Sequence, residues 1–234
     1  MNLVTTEGMT TSGLARQIGL PRQTVHRLCV TMVKEGFLTA DDRGGRFRPG
    51  RRARTMASTI LHASTTPIAR RRVLEELAAE TGETINFVVP EEQGMSYKDR
   101  VETNWLFRIQ LPIGTHVPFH ATASGKVYLA SLRRAERTRL ANVMRLEALT
   151  PNTITEPDDL LDELKRISRQ GFAIDNEEFV EGMVATAVPV TDPGGRYVAS
   201  LACHGPMQRI TPETARDLAP ILHRGAERIR EALF

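Results

Sequence analysis

The tripeptide Gly19-Leu20-Pro21 constrains the first sixty residues more than any other feature, because it breaks the chain between two short stretches that each have helical periodicity. Before it, Thr10-Thr11-Ser12 offers a capping hydroxyl and Leu14, Ala15 and Ile18 form one apolar stripe. After it, Pro21 suits the first turn of a helix, and Val25, Leu28, Cys29, Met32 and Val33 carry the period to Gly36. Two short helices joined by a Gly-containing turn of this length read as a helix-turn-helix. At about 100° per residue, Val25, Leu28 and Met32 fall on the inner side of the second helix, with Arg22, Gln23, His26 and Arg27 opposite. Those guanidinium, amide and imidazole groups suit phosphates and purine edges, and the N-terminal half of such a helix is the part that reaches bases.

The next segment extends the pattern. Phe37-Leu38-Thr39, the turn Asp41-Asp42-Arg43-Gly44-Gly45 and Arg46-Phe47-Arg48 read as a β-hairpin. Period two turns Phe47 towards the helices and Arg46 and Arg48 outward, with Arg43 at the tip, as in the wing of a winged helix reaching a phosphate backbone. Arg51, Arg52 and Arg54 lead into a linker helix running through His62. The candidate DNA contacts are Arg22, Gln23, Thr24, His26, Arg27, Arg43, Arg46 and Arg48. Charge follows the same division. Residues 1–60 hold ten basic and four acidic side chains, a charge of +6, whereas the remaining 174 hold 21 and 24, a charge of −3. The whole-chain value of +3 therefore understates a polyanion-binding unit.

Composition excludes other classes. No apolar run approaches the roughly 18 residues of a membrane span, and no charged-then-apolar leader opens the chain, so a cytoplasmic location with no membrane partner is expected. Cys29 and Cys203, the only cysteines, exclude a disulfide framework and are expected to be small core residues.

Beyond the linker, Arg70–Thr81 has helical spacing that ends at Gly82. Strand-like runs follow at Thr84–Val89, Met95–Val101 and Trp105–Leu111. His120–Lys126 leads into a helix, two more helices cover Arg134–Arg145 and Pro157–Gln170, and Phe172–Asp175, Val184–Val190 and Arg196–His204 return to strands. Glu213–Leu233 closes the chain as an amphipathic helix. Helices interrupting strands, with the turn Pro193-Gly194-Gly195 between the last two strands, indicate an α+β domain around an antiparallel sheet. Ser124-Gly125 lies where the chain enters a helix, and free N–H groups there favour a carboxylate. Along Tyr197–His204, alternation sets Val198, Ser200, Ala202 and His204 on one face and Tyr197, Ala199, Leu201 and Cys203 on the other.

Three sharper chemical readings are weaker. Gly125-Lys126 lacks the earlier glycine and the following Ser/Thr of a phosphate loop, with His120 and Val127 in those places. A hydrolytic site of Ser124, Asp175 and His204 beside an incidental basic module is the alternative reading, but the serine lacks the glycine two positions earlier that a nucleophile elbow uses. His116 and His120 have a spacing suited to a metal, yet Pro118 lies between them and no third ligand is evident. No catalytic residue, metal or cofactor is expected.

GLPRQTVHRL from Gly19, followed by VKEGFL and GGRFRPG, resembles the DNA-binding half of the IclR family of bacterial transcriptional regulators. The likeness continues through VPFHATASGKVYLA (Val117–Ala130), LTPNTIT (Leu149–Thr155), GFAIDNEEFVEGM (Gly171–Met183) and AVPVTDPGGRYVASLACHGP (Ala187–Pro206). It implies a winged helix-turn-helix over residues 1–50, a linker helix over 51–66, and a GAF-like effector-binding domain over 67–234 that couples a small organic or aromatic acid to operator affinity. Carried over by position, the resemblance puts Ala123 and Ser124 at the acid end of the ligand, with Asp175 and Ala185 along its side. Ala202 and His204 lie on the last strand, where some members have hydroxyl-bearing residues. Met183, Trp105 and Phe107 are further candidates for an apolar wall, and Arg100 and Arg108 divide between pairing with Glu91, Glu92 or Glu102 and meeting a ligand. The resemblance also implies a homodimer or homotetramer on a pseudo-palindromic operator, acting as a repressor or dual regulator of a catabolic operon. Members have a full helix before the segment matching Met9–Leu14, whereas only Met1 to Gly8 precede it in this sequence, with Leu3 and Val4 as a remnant. The first helix of the DNA-binding unit is therefore expected to be truncated.

Overall fold

The structure, a computed structural model, describes residues 8–41, 45–63, 66–103, 105 and 114–234. The chain divides into two compact units, residues 1–67 and 68–234.

The first unit runs β1 (Met9–Thr10), α1 (Thr11–Ile18), α2 (Arg22–Lys34), β2 (Leu38–Ala40), β3 (Arg46–Pro49) and α3 (Arg51–Ala63). The Thr10 hydroxyl accepts the Gly13 N–H at 3.2 Å to start α1, and Gly19, in the left-handed region at φ 69°, ends it by donating to the Ala15 carbonyl. β3 pairs antiparallel with both β2 and β1, so the expected hairpin carries a third, short strand. Phe47 points inward as period two requires, joining Leu14, Val25, Cys29 and Leu38 in a small core.

One expectation needs correction. Leu28 and Met32, assigned to the inner side of α2, are 46% and 42% exposed. α1 and β2 pack on α2, with Phe47 of β3 in the shared core, and the buried stripe narrows to Val25 and Cys29, with Val33 half-buried. Leu3, Val4 and the truncated-helix expectation lie outside the described residues.

α4 (Thr66–Thr81) leads into the second unit, followed by β4 (Thr84–Pro90), β5 (Met95–Val101), β6 (His116–Val117), α5 (Ala123–Ser131), α6 (Arg134–Val143), α7 (Pro157–Gln170), β7 (Ala173–Asn176), β8 (Met183–Thr191), β9 (Tyr197–Pro206) and α8 (Pro212–Leu233). The six strands form one sheet in the order β6-β5-β4-β9-β8-β7, every neighbour antiparallel. This is the α+β architecture around an antiparallel sheet that the sequence pattern indicates. Of the expected strand Trp105–Leu111, Trp105 is irregular and the rest lies outside the described residues.

Alternation sends successive side chains to two different layers. Ile85, Phe87, Val188, Leu201 and Cys203 pack against α4 and α8, with Leu74, Leu77 and Leu222 fully or almost fully buried there. Ala173, Ala185, Ala187 and Ala202 point the other way, onto α5 and α7. Gly125 lets the segment before α5 pass close over the first turn of the helix: a Cβ there would lie 2.3 Å from the Phe119 carbonyl oxygen.

The alternation expected for β9 holds from Ala199 to His204 and fails at its start. A bulge shifts the register between β8 and β9 so that Val190 faces Ala199 and Thr191 faces Tyr197, leaving Val198 as the extra residue. Tyr197 therefore shares the Ser200 face, its hydroxyl 2.8 Å from the Ser200 hydroxyl, and Val198 packs towards α4 and α8.

Candidate functional site

In the first unit, Arg22, Gln23, His26 and Arg27 are exposed on α2 and Thr24 is half-buried, so one open cationic face covers the first two turns of the helix. Arg46 and Arg48 are exposed, but each has a partner within the unit. Arg46 donates to the Gly8 carbonyl at 3.1 Å, and Arg48 lies 3.5 Å from the Asp41 carboxylate. Arg43 lies outside the described residues.

In the second unit, the face of the sheet turned towards α5 holds a small pocket. Ala123 and Ser124 line it from α5, Asp175 from β7, Met183 and Ala185 from β8, and Ala202 and His204 from β9. Trp105 is elsewhere: it is 49% exposed, donates to the Gly82 carbonyl at 2.9 Å and lies under the Arg209 guanidinium. Phe107 and Arg108 lie outside the described residues.

At one end of the pocket stands the N-terminus of α5. Thr122 caps it, its hydroxyl accepting the Gly125 N–H at 3.1 Å while its carbonyl accepts the Lys126 N–H. The Gly125 N–H is thus used within the cap. The N–H groups of Ala123 and Ser124 have no partner among the described residues, and they form the free, partly positive end of the helix dipole.

Asp175 is 1% exposed. One carboxylate oxygen accepts the N–H groups of Glu178 and Phe179 at 2.7 and 3.3 Å, whereas the other is buried with no partner. The turn that brings those amides round is built on Glu177, a non-glycine residue at φ 59°, whose carboxylate accepts the Gly182 N–H. Burial, and then the neighbouring Glu178 charge, push Asp175 up to about 7, although Lys126 works against the shift. Lys126, also 1% exposed, donates to the Ile174 carbonyl at 2.7 Å and pairs with Glu178. That pair ties α5 to the turn after β7.

At the other end, the two ring nitrogens of His204 face Asn86 at 3.1 Å and Arg100 at 3.2 Å. Arg100 is buried and lies 3.1 Å from the Glu102 carboxylate. Asn86 and Tyr97 belong to the pocket wall with Thr122 and Phe179, and motif reasoning missed all four. A signal for Asn86 existed: it is the one amide in the otherwise apolar run Ile85–Val89. The Tyr97 hydroxyl is pushed up to about 12, chiefly by burial.

Ser124, Asp175 and His204 share the pocket without forming a proton relay. The carboxylate of Asp175 bonds to backbone amides and the imidazole faces an amide and a guanidinium, so nothing orients a base on the serine. The two histidines of the metal spacing have different partners, His116 the Glu91 carboxylate and His120 the Glu147 carbonyl. Among the described residues no group of three or more His, Cys, Asp or Glu is arranged to hold a metal. No helix among them is long and apolar enough to cross a membrane.

A helix-turn-helix unit with an exposed cationic helix, joined to an α+β domain holding a small polar pocket, defines the class of DNA-binding transcriptional regulators that carry their own sensor domain. Known proteins agree on that class. The model of the bacterial transcriptional regulator IclR C-terminal domain matches residues 59–231, and that of the IclR helix-turn-helix domain matches residues 5–42. The probable transcriptional regulator SauR of Cupriavidus necator is 35% identical over 217 residues, which cover 92% of this chain and 86% of that protein. Among solved structures, Thermotoga maritima IclR superposes with a TM-score of 0.69 at 27% identity, covering 99% of this chain and 93% of its own. The inducer-binding domain of a double mutant of Acinetobacter PobR, solved with 3-hydroxybenzoic acid, does so with a TM-score of 0.65 at 29% identity, covering 72% and 98%. The chain belongs to the IclR family of bacterial transcriptional regulators. Its relatives are regulators rather than enzymes, and the hydrolytic alternative is not favoured.

Proposed function

We propose that this regulator senses a small organic or aromatic acid in the pocket under α5 and that the bound acid changes the affinity of the first unit for an operator. The observation that carries the reading is the convergence, in one pocket, of two unpartnered N–H groups at a helix N-terminus and a buried carboxylate oxygen without a partner. The N–H pair is the place for the acid group, and Asp175 the place for a neighbouring hydroxyl or for the shared proton. Arg22, Gln23, Thr24, His26 and Arg27 contact the major groove, and Arg43, Arg46 and Arg48 the phosphates beside it. The protein acts as a homodimer or homotetramer on a pseudo-palindromic site, in the bacterial cytoplasm at the nucleoid, as a repressor or dual regulator of a catabolic operon.

The test is fluorescence anisotropy of the full chain on the promoter region beside its own gene, titrated with a panel of carboxylic acids. At least one acid is expected to shift operator affinity, and Ser124→Trp is expected to remove that shift. Arg22→Ala and Arg27→Ala are each expected to weaken operator binding by about 1–3 kcal/mol. An acid response that survives Ser124→Trp would mean the pocket is misplaced. Unchanged affinity in both arginine variants would remove α2 as the reading helix.

A further inference from the structure

Two buried acids, Asp175 and Glu178, share one buried cation. Lys126 of α5 pairs with Glu178 and lies 3.8 Å from Glu163 of α7, which has Arg166 as its own partner. Asp175 makes no ion pair among the described residues: one oxygen takes two backbone N–H groups and Oδ2 is buried with no partner. Glu178 also keeps one oxygen without a partner, but its other oxygen meets the ammonium and it is not part of the pocket wall. The remaining titratable or charged groups near Asp175 are Tyr97 and Arg100 on β5 and His204 on β9. Ala185 of β8 stands between the acid and the imidazole in the cross-strand row. Tyr97, pushed up to about 12 chiefly by burial, is neutral at neutral pH. Burial and the Glu178 charge hold the Asp175 carboxyl at about 7 against the pull of Lys126.

An acid group on the N–H groups of Ala123 and Ser124 brings a further negative charge into this small pocket. Two anions so close in a desolvated site favour a proton held between them. We infer that the effector binds together with one proton, taken from solvent and held between Asp175 Oδ2 and an oxygen of the ligand. Asp175 then meets its ligand as a hydrogen-bond donor, and the oxygen facing it is an acceptor, from the acid group itself or from a group beside it. The inference rests on the reading of this pocket as the effector site and adds a dependence on pH to it: the acid response strengthens as pH falls.

Isothermal titration of the full chain with butyrate, benzoate and 2-hydroxybutyrate, in two buffers of different ionisation enthalpy, tests this. The acid that binds is expected to lose about tenfold or more in affinity between about pH 7 and about pH 8.5, with close to one proton taken up per ligand at about pH 8. Asp175→Asn, which offers a donor without needing the proton, is expected to abolish both the slope and the uptake. At about pH 8.5 it is expected to bind the acid about fivefold tighter than the wild type, whereas an ionised Asp175 accepting from a ligand hydroxyl predicts the reverse. If Asp175→Asn does not fold, infrared difference spectra of the wild type labelled with ¹³C-aspartate take its place. A protonated aspartic carboxyl band that grows on binding is expected at about pH 8. Affinity that is flat with pH, or no gain of that band, overturns the proton linkage alone. So does an uptake that survives Asp175→Asn, which would place the proton on Glu178 or His204. If none of the acids binds at any pH, the pocket reading fails and this inference fails with it.

Discussion

The two faces of the six-stranded sheet are built by alternate residues of the same strands, yet they are filled by opposite rules. Towards α4 and α8 the strands present large apolar side chains, among them Ile85, Phe87, Val188 and Leu201, each no more than 3% exposed. On that face Asp99 is matched by Arg70 at 3.0 Å and Arg71 at 3.2 Å, and the Thr186 hydroxyl by the Ala215 carbonyl at 2.6 Å. Towards α5 the same strands present Ala173, Ala185, Ala187 and Ala202, which leave volume, and Asn86 and Asp175, which keep buried atoms without partners. Unpaired buried polar atoms cost stability, so a face that keeps them is shaped for something other than packing. One face holds the domain together, and the other holds a pocket open.

The comparison can be broken from either side. The largest effect is expected at Leu201→Ala, which empties a fully buried site on the apolar face and should lower unfolding free energy in urea by about 2–5 kcal/mol. A loss well below that range would mean that this face is not the stabilising one.

A smaller, pH-dependent effect is expected at Asp175→Asn. The folded carboxyl is raised to about 7, and the unfolded one titrates near its ordinary value of about 4. Between those values the unfolded state has lost the proton that the folded state keeps. The stabilising contribution is therefore complete below about pH 4 and is lost as pH rises through 7. The asparagine variant has no such dependence, so its stability relative to wild type should rise by on the order of 2–4 kcal/mol between pH 4 and pH 8. A difference that stays constant across that range would show that burial does not raise the Asp175 carboxyl.

The apolar face was the more legible of the two from sequence, because burial repeats along a strand. Val188, Leu201 and Cys203 follow from period two alone, and the order of strands and helices was enough for the α+β class. The pocket face was legible only in part. Asp175, Ala202 and His204 fall within recurring motifs, but Asn86 and Tyr97 are brought in by the pairing of β4 with β5 and β9, a long-range property that local pattern does not encode. Tyr197 was assigned to the wrong face because one bulge residue, Val198, reverses the alternation before it. In the first unit, helical periodicity located α2 but overestimated its buried stripe, since how wide a stripe is covered depends on what packs against it.

Hydrogen exchange of the full chain, with and without an acid that shifts operator affinity, tests the central claim most directly. The account predicts ligand protection at the α5 N-terminus (122–126), in β7 and the following turn (173–179), and along β9 (200–204), with α4 and α8 little changed. Protection centred on α4 and α8, with none in those three segments, would contradict it.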